Sequence, residues 1–552
     1  MSARDSSTSF DLQRVHALLR EQRLAEARTL LERICHDPAA DREPWYLLGA
    51  IHQQLNDLPR AASCYTRALA LCPDHADTHY HLGNVLRELG NIEEAGAHYR
   101  GAIAAAPGHI EAHCNLGTLL EQRGEDALAL ECYRRALRLD PHRPELHYNA
   151  ANVLKRLGQR EAAEQHYRRA LALKPDFAMA YNNLGNVLED SGQADEALEC
   201  YRRAVALKPD HVEAICNLAA ALRDRGNIGE AVTCYRKALA ISGDYPKARL
   251  GISLLQLLTG DLAHGWEGYE SRWRVGSLPP RSFRQPLWDG TDLDGRRILL
   301  HAEQGLGDTI HFIRYAPMVQ QRGGRVIVEC QPALARLLKH ARGVDQVVAA
   351  GDPLPAFDTH LPLLSLPRIF HTTLDSIPAE VPYLDLSDKA PAAIGALLRT
   401  GNGSRRIGIV WAGSESNPND RNRSCPPIHF KTVAERPGVM LYSLQKGPRG
   451  LAPFDTPDFP VTNLSHLLTD FHDTAMAVRH LDLIITVDTA VAHLAGALGR
   501  PVWVLLPFAP DWRWLLNRED SPWYPGMRLF RQTSPGDWAG VFARVAEALD
   551  RA

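Results

Sequence analysis

The sequence predicts two fold classes in series: an α-solenoid of helix–turn–helix repeats, then an α/β module with two Rossmann-like lobes. Self-similarity at a period of 34 residues runs through the first half. From Arg297 onward, short apolar runs alternate with helical stretches, which implies parallel sheets. With 552 residues the chain is also too long for one ordinary core.

The repeats are read from their register. Small residues recur at Gly49, Gly83, Gly117, Ala151, Gly185 and Ala219, and tyrosines at Tyr65, Tyr99, Tyr133, Tyr167, Tyr201 and Tyr235. Alanines stand four before and three after each tyrosine, as at Ala61 and Ala68. Prolines close five units, from Pro73 to Pro209. Small residues let paired helices approach, the tyrosine fills the space between neighbouring units, and proline ends the second helix by removing a donor. The pattern resembles the tetratricopeptide repeat, with six full units over 42–245 inside a superhelix over 8–275. Leu24 to Ile34 reads as a degenerate half-unit before them, and Leu258 to Trp273 as a worn capping unit after them, since an end repeat must hide one face.

Asn115, Asn149, Asn183 and Asn217 occupy one place in the first helix of four consecutive repeats, and His81 holds it one unit earlier. An amide is both donor and acceptor, which suits a peptide backbone. With helices about 8–10 Å apart and an extended chain rising about 3.3 Å per residue, one rung meets roughly every third residue. The other reading is that these amides bond within or between helices. Similar ladders line the repeat groove of O-linked N-acetylglucosamine transferases.

Composition narrows the function classes. A formal net charge of −3 gives no basic face for nucleic acid. No run of about 18 apolar residues is present, and Met1 to Phe10 carries no signal-type apolar core, so no membrane insertion and a cytoplasmic location are expected. The ten cysteines include no C-x-x-C pair. Cys64, Cys132, Cys200 and Cys234 share one repeat position and read as small buried apolar residues.

A Pro-, Gly-, Ser- and Arg-rich stretch, 276–295, reads as a linker. Two lobes follow, over 296–400 and 401–552, split near the polar stretch Thr400–Arg405. Expected strands are Arg297–His301, Arg325–Glu329, Gln346–Val348, Arg406–Val410, Val439–Ser443, Leu483–Val487 and Pro501–Leu506. Expected helices include Ile310–Gln321, Pro332–His340 and Asp473–Arg479.

Three stretches carry candidate chemistry. His301-Ala-Glu-Gln-Gly305-Leu-Gly307-Asp308 turns from strand to helix and places Asp308 at the carboxyl end of the first sheet, where open α/β sheets bind ligands. Asp308 reads equally as a helix cap. Val487-Asp488-Thr489-Ala490-Val-Ala-His493 ends a buried strand and starts a helix, an anion site by its free N–H groups and dipole. Its plainer reading is a βα junction with Asp488 as cap. Trp411-Ala-Gly413 leads into a basic loop holding Arg421 and Arg423, whose forked guanidinium suits phosphate.

Together these stretches resemble glycosyltransferase family 9, the heptosyltransferases, and the second lobe resembles that of the O-linked N-acetylglucosamine transferases. The whole chain resembles bacterial proteins fusing such repeats to a transferase module. The resemblance implies a GT-B-like fold, an inverting transfer from a nucleotide-diphosphate sugar as co-substrate, and neither metal nor further cofactor. It makes Asp308 the base. Gly305, Gly307, Trp411, Arg421, Arg423, Asp488, Thr489, Ala490 and His493 would hold the donor, and the groove of His81 and the four asparagines would hold a protein or polymer acceptor. The departures are a short first lobe and Thr489-Ala490-Val491 in place of Thr-Gly-Pro. Asp511-Trp-Arg-Trp514 and Ser521-Pro-Trp-Tyr524 read as an aromatic loop near the cleft or as buried core. The rival function is a repeat scaffold whose transferase module is inactive. Asp292-Leu-Asp294 and His301-Ala-Glu303 imitate metal motifs but lack the surrounding pattern.

Overall fold

A computed structural model describes residues 3–37, 40–276, 281–386, 392–398, 404–415, 417, 419–447 and 459–551. The split at Thr400–Arg405 lies mostly outside them. The chain divides into two compact units, Met1–Asn217 and Leu218–Ala552. This boundary falls within the sixth repeat, and the repeat helices themselves continue past it to Val275.

The first unit is helical throughout. Its repeat pairs run from Arg42–Gln54 with Leu58–Leu71 to Ala178–Asp190 with Ala194–Leu207. The stretch read as a half-unit is the second member of a full pair, Ala3–Arg20 with Leu24–Cys35, cored by Val15, Ala27 and Leu31. Where the small residue is glycine, the tyrosine ring lies directly on it, and the rings also reach the next unit, as Tyr65 does at His81 and Tyr235 at Gly251. A Cβ on Gly49, Gly83 or Gly117 would stand 2.8 Å from that ring. The cysteines are all thiols; Cys64 and Cys200 are buried, and Cys132 and Cys234 are partly so.

The second unit begins with repeat helices. After Ile228–Ile241, the pair Pro246–Thr259 and Leu262–Tyr269 ends in the short helix Arg272–Val275. This last pair does not finish in solvent. Trp266 is buried, donates its indole N–H to the Thr372 carbonyl (3.0 Å), and meets Trp512 edge-on. The α/β module therefore covers the end of the solenoid.

The α/β part holds two sheets. Strands β1 (Arg297–His301), β2 (Arg325–Cys330), β3 (Gln346–Ala349) and β4 (Thr359–Pro362) form the first, in the all-parallel order β3-β2-β1-β4. Strands β5 (Arg405–Val410), β6 (Val439–Ser443), β7 (Val461–Asn463), β8 (Leu483–Val487), β9 (Val502–Leu506), β10 (Asp520–Ser521) and β11 (Tyr524–Arg531) form the second. Its order is β10-β11-β9-β8-β5-β6-β7, parallel except β10. In each sheet the order reverses beside the first strand, which opens a ligand crevice at the strands' carboxyl ends. The described part of the stretch read as a linker is built onto the first sheet: Leu287 bridges to His360, Trp288 donates its backbone N–H to the His360 carbonyl, and Phe283 packs on Phe357.

Candidate functional site

The crevices of both sheets open on one cavity of about 990 Å³. Of the residues the sequence singled out for a donor site, Gly305, Gly307, Asp308, Arg423, Asp488, Thr489, Ala490 and His493 line it. Two do not. Trp411 is 2% exposed in the core of the second lobe, and Arg421 is exposed on the short helix Asp420–Arg423, outside the lining.

The floor is made where two helix starts meet. After β1 the chain enters helix Leu306–Phe312, and Asp308 accepts the Gly305 N–H at 2.8 Å, as a capping-box acid does. Gly305 has an ordinary φ of −68°, so the turn does not need glycine for its backbone angle. Close approach explains Gly307: a Cβ there would stand 3.0 Å from His493 Cδ2 and 3.4 Å from Ala490 Cα. Ala490 opens the facing helix, Ala490–Ala497, whose cap residue is Thr489 and not Asp488. The Asp488 carboxylate is thereby left to the cavity.

Arg513 was not anticipated. It stands in the short 3₁₀ turn Trp512–Trp514, 205 residues from its partner, and its guanidinium reaches Asp308 (2.5 Å) and Asp511 (2.8 Å). Its neighbours Trp512 and Trp514 are buried, as are Trp523 and Tyr524, so the aromatic rings are core, while Asp511 and Arg513 of the same stretch line the cavity. Arg423 lies over Gly413, where any side chain would collide with the guanidinium, and pairs with Asp420 (3.2 Å). Lys446, also unanticipated, lines the cavity and donates to the Ser465 carbonyl at 3.1 Å.

The charges are closely balanced. Arg423, Lys446 and Arg513 face Asp308, Glu415, Asp488 and Asp511. Burial raises the Asp308 carboxyl above its ordinary range, opposed by the Arg513 charge. Burial and the Asp511 charge push Asp488 up to about 6. Glu303, the other acid near the turn, is withdrawn from the cavity. It pairs with buried Arg272 at 2.9 Å and accepts the Leu364 N–H at 3.1 Å; burial carries it up to about 7 against the pull of that arginine.

Beneath the floor a polar network ties the lobes. The Tyr524 hydroxyl is 3.0 Å from Nδ1 of both His311 and His493 and 3.4 Å from the Tyr383 hydroxyl. Both imidazoles are held well below the usual histidine range by burial, with Arg314 the main opposing charge at His311 and Arg513 at His493. Arg314 is buried and meets no carboxylate among the described residues: it donates to the Trp523 carbonyl (2.7 Å) and the Tyr383 hydroxyl (3.1 Å), and lies 4.4 Å over the Tyr524 ring. A second tie runs from Arg336 to Asp470 (2.8 Å) and His472 (3.1 Å). Asp470, His472 and Asp473 are the one trio with metal-ligand spacing among the described residues, and the Arg336 guanidinium occupies it.

In the first unit the asparagine column is hydrogen-bonded between repeats. Asn115 donates to Asn84 (2.7 Å), Asn183 to Asn152 (2.9 Å), and Asn217 to Asn186 (3.0 Å) and Asn182 (2.9 Å). The acceptors Asn84, Asn152 and Asn186 also receive the hydroxyls of Tyr99, Tyr167 and Tyr201. Asn149 differs because Thr118 holds the acceptor place opposite it, and Asn149 borders an open cleft with Glu121, Gln122 and Arg156. His81 stacks on Tyr65 with ring centroids 5.9 Å apart.

No helix among the described residues is long and apolar enough to cross a membrane. Tetratricopeptide repeat models match residues 12–76, 46–110 and 176–244, and a TPR repeat model matches 120–158 and 151–192. Protein FlbA of Caulobacter vibrioides is 28% identical over 332 residues, 53% of each chain, so the chain spans about half the length of this curated relative. Among solved structures, MamA is 27% identical over 30% of this chain and 92% of its own, with a TM-score of 0.29. YrrB, described as a TPR protein with an unusual peptide-binding site, is 24% identical over 34% and 96%, with a TM-score of 0.31. The chain thus carries tetratricopeptide repeats in its N-terminal part, followed by an α/β module with parallel sheets.

Proposed function

We propose that the α/β module is a glycosyltransferase that moves a sugar from a nucleotide-diphosphate donor to an acceptor hydroxyl, with the repeats engaging a protein or polymer acceptor. The observation that carries this reading is the convergence of two helix starts, Leu306–Phe312 and Ala490–Ala497, from two parallel sheets onto one cavity of about 990 Å³. The start at Ala490 offers N–H groups to a leaving diphosphate, and Arg423 and Lys446 add charge. Asp308 accepts the proton of the attacking hydroxyl as the bond from sugar carbon to diphosphate oxygen breaks; its burial, which raises its pKa, favours that uptake. The leaving diphosphate needs no divalent ion in this scheme.

One observation favours the inactive-scaffold reading: both Asp308 oxygens are engaged, by the Gly305 N–H and by Arg513. A base would have to exchange the arginine for the acceptor hydroxyl. The experiment is a thermal-shift screen of nucleotide sugars on the full chain, followed by donor hydrolysis. A true donor at about 100 times its Kd stabilises by about 2.7 kcal/mol. Binding with turnover supports the enzyme, binding without hydrolysis or transfer supports the scaffold, and no shift with any nucleotide sugar overturns the enzyme.

A further inference from the structure

The solenoid contains two histidine pairs that the groove reading does not use. In the second repeat, His79 of the first helix and His98 of the second face each other with Nδ1 atoms 2.9 Å apart. Two repeats later, His147 and His166 do the same at 3.1 Å, and both pairs have ring centroids 5.2 Å apart. The remaining ring nitrogen of one partner is committed in the same way in each: His79 Nε2 lies 2.8 Å from the Pro73 carbonyl, and His147 Nε2 lies 3.1 Å from the Pro141 carbonyl. A carbonyl accepts, so Nε2 carries the proton and Nδ1 presents a lone pair. A backbone carbonyl fixing the outer N–H is the arrangement that orients metal-ligating imidazoles.

We propose that His79 and His98 form a two-imidazole site for a divalent transition-metal ion, with His147 and His166 as its weaker copy. Two nitrogens each about 2.0–2.1 Å from a tetrahedral ion stand about 3.3 Å apart, so the metal takes the place of the proton that His98 or His166 donates from Nδ1, that proton moves to the ring's Nε2, and each pair opens by a few tenths of an ångström. Water completes the coordination. Imidazole donors select zinc, copper or nickel over magnesium or calcium. The intervening repeat shows what breaks the pattern: His113 makes the same bond to the Pro107 carbonyl at 3.0 Å, but Cys132 stands where the second imidazole would be.

The surroundings rank the two sites. Glu94 faces His98, and Gly101 lets the His79 ring lie against the second helix, since a Cβ there would fall 2.8 Å from its Nδ1. In the fourth repeat the residue in register with Gly101 is Arg169, which faces His147, and Arg134 faces His166. Two arginines oppose a cation there.

The test is a zinc titration of the full chain, stripped with chelator, followed by calorimetry and melting temperature. Two steps are expected. His98→Gln should remove the tighter step and His166→Gln the weaker, each raising that site's Kd beyond the roughly tenfold that even outer-sphere partners cost. Magnesium should produce neither. Histidines elsewhere bind equally in the double variant and are subtracted by it. Copper electron paramagnetic resonance of the unmodified chain, with hyperfine coupling to two nitrogens at the first equivalent, reads the site without any variant and decides the matter should the variants misfold. A double variant that titrates like the parent, or a first equivalent of copper without two-nitrogen coupling, overturns the proposal.

Discussion

Arg513 crosses from the second lobe to the first and sets its Nη2 2.5 Å from Oδ1 of Asp308, while Asp308 Oδ2 takes the N–H of Gly305. One carboxylate therefore closes a helix start and a charge pair at once. Asp308→Asn keeps an acceptor for the Gly305 N–H but leaves Arg513 with Asp511 alone. Breaking a buried pair costs about 3–5 kcal/mol when the remaining charge has no other partner. With Asp511 still present, a loss of about 1–2 kcal/mol is expected. If Asp308 is the base, transfer per folded molecule falls by about two orders of magnitude or more. A melting curve and a transfer assay on the same sample separate the two effects. Undiminished transfer would reduce Asp308 to a cap and a tether.

Asp488 sets a pH dependence. Its folded-state value near 6 stands above the ordinary carboxylate value, so between about pH 4 and 6 the folded chain holds a proton that the unfolded chain has lost. That contribution to stability is fully present below about pH 4 and is lost as the pH rises through 6. Asp488→Asn, which cannot ionise or repel Asp511, should therefore raise the melting temperature at pH 7.5 and leave it nearly unchanged at pH 4. An equal shift at both pH values would show that the carboxylate is not strained by its surroundings.

The two glycines of the turn should respond differently. At Gly307 a methyl group meets His493 and Ala490, both fixed by the helix Ala490–Ala497. At Gly305 the nearest neighbour is Asp308 Oδ2 at 3.1 Å, the end of a side chain. Gly307→Ala should cost about 1–3 kcal/mol by overpacking and weaken donor binding, because the two helix starts must part. Gly305→Ala should cost less. Chemical denaturation of both variants checks the order.

Much of this was legible in the sequence. The solenoid repeats one physical solution, so the places of Gly83, Tyr99 and Pro107 recur often enough to fix the helices of the six full units, while the first helix, Ala3–Arg20, lacks those marks and escaped. Strands with unbroken apolar runs, such as Leu483–Val487, were equally clear. The strands that escaped have local features that hide them. Thr359–Pro362 buries Thr359 and His360 against residues 283–288, so it shows no apolar run. Tyr524–Arg531 opens on Pro525 and Gly526, which read as loop. Of the site, the two helix starts were visible because each is a local strand-to-helix turn. Arg513 was not, because its meeting with Asp308 exists only after both lobes have folded. Trp411 misled because an aromatic residue at a strand end fits a core as well as a ligand; here its backbone N–H is held by the Gln445 side chain at 3.1 Å, beneath the cavity wall.

The asparagine column divides into two kinds of rung. Asn183 donates to Asn152 and to the Tyr148 hydroxyl (3.1 Å), so its amide stitches one repeat to the next. Asn149 faces Thr118 across an open cleft. Asn183→Ala removes three bonds, the two it donates and the one it accepts from the Asn182 amide at 3.2 Å, and leaves the Asn152 carbonyl oxygen with the Tyr167 hydroxyl only, which should destabilise the chain by about 1–3 kcal/mol. Asn149→Ala should change stability by no more than about 0.5 kcal/mol, as at an ordinary surface position. Its effect belongs to ligand capture: if the groove binds an extended polymer, the Asn149 variant loses affinity at unchanged melting temperature, by up to about tenfold for one lost bond. Urea unfolding and an acceptor titration on both variants make the comparison. Equal destabilisation by both substitutions would mean that the whole column is structural, and that an acceptor, if one binds, is read by other side chains.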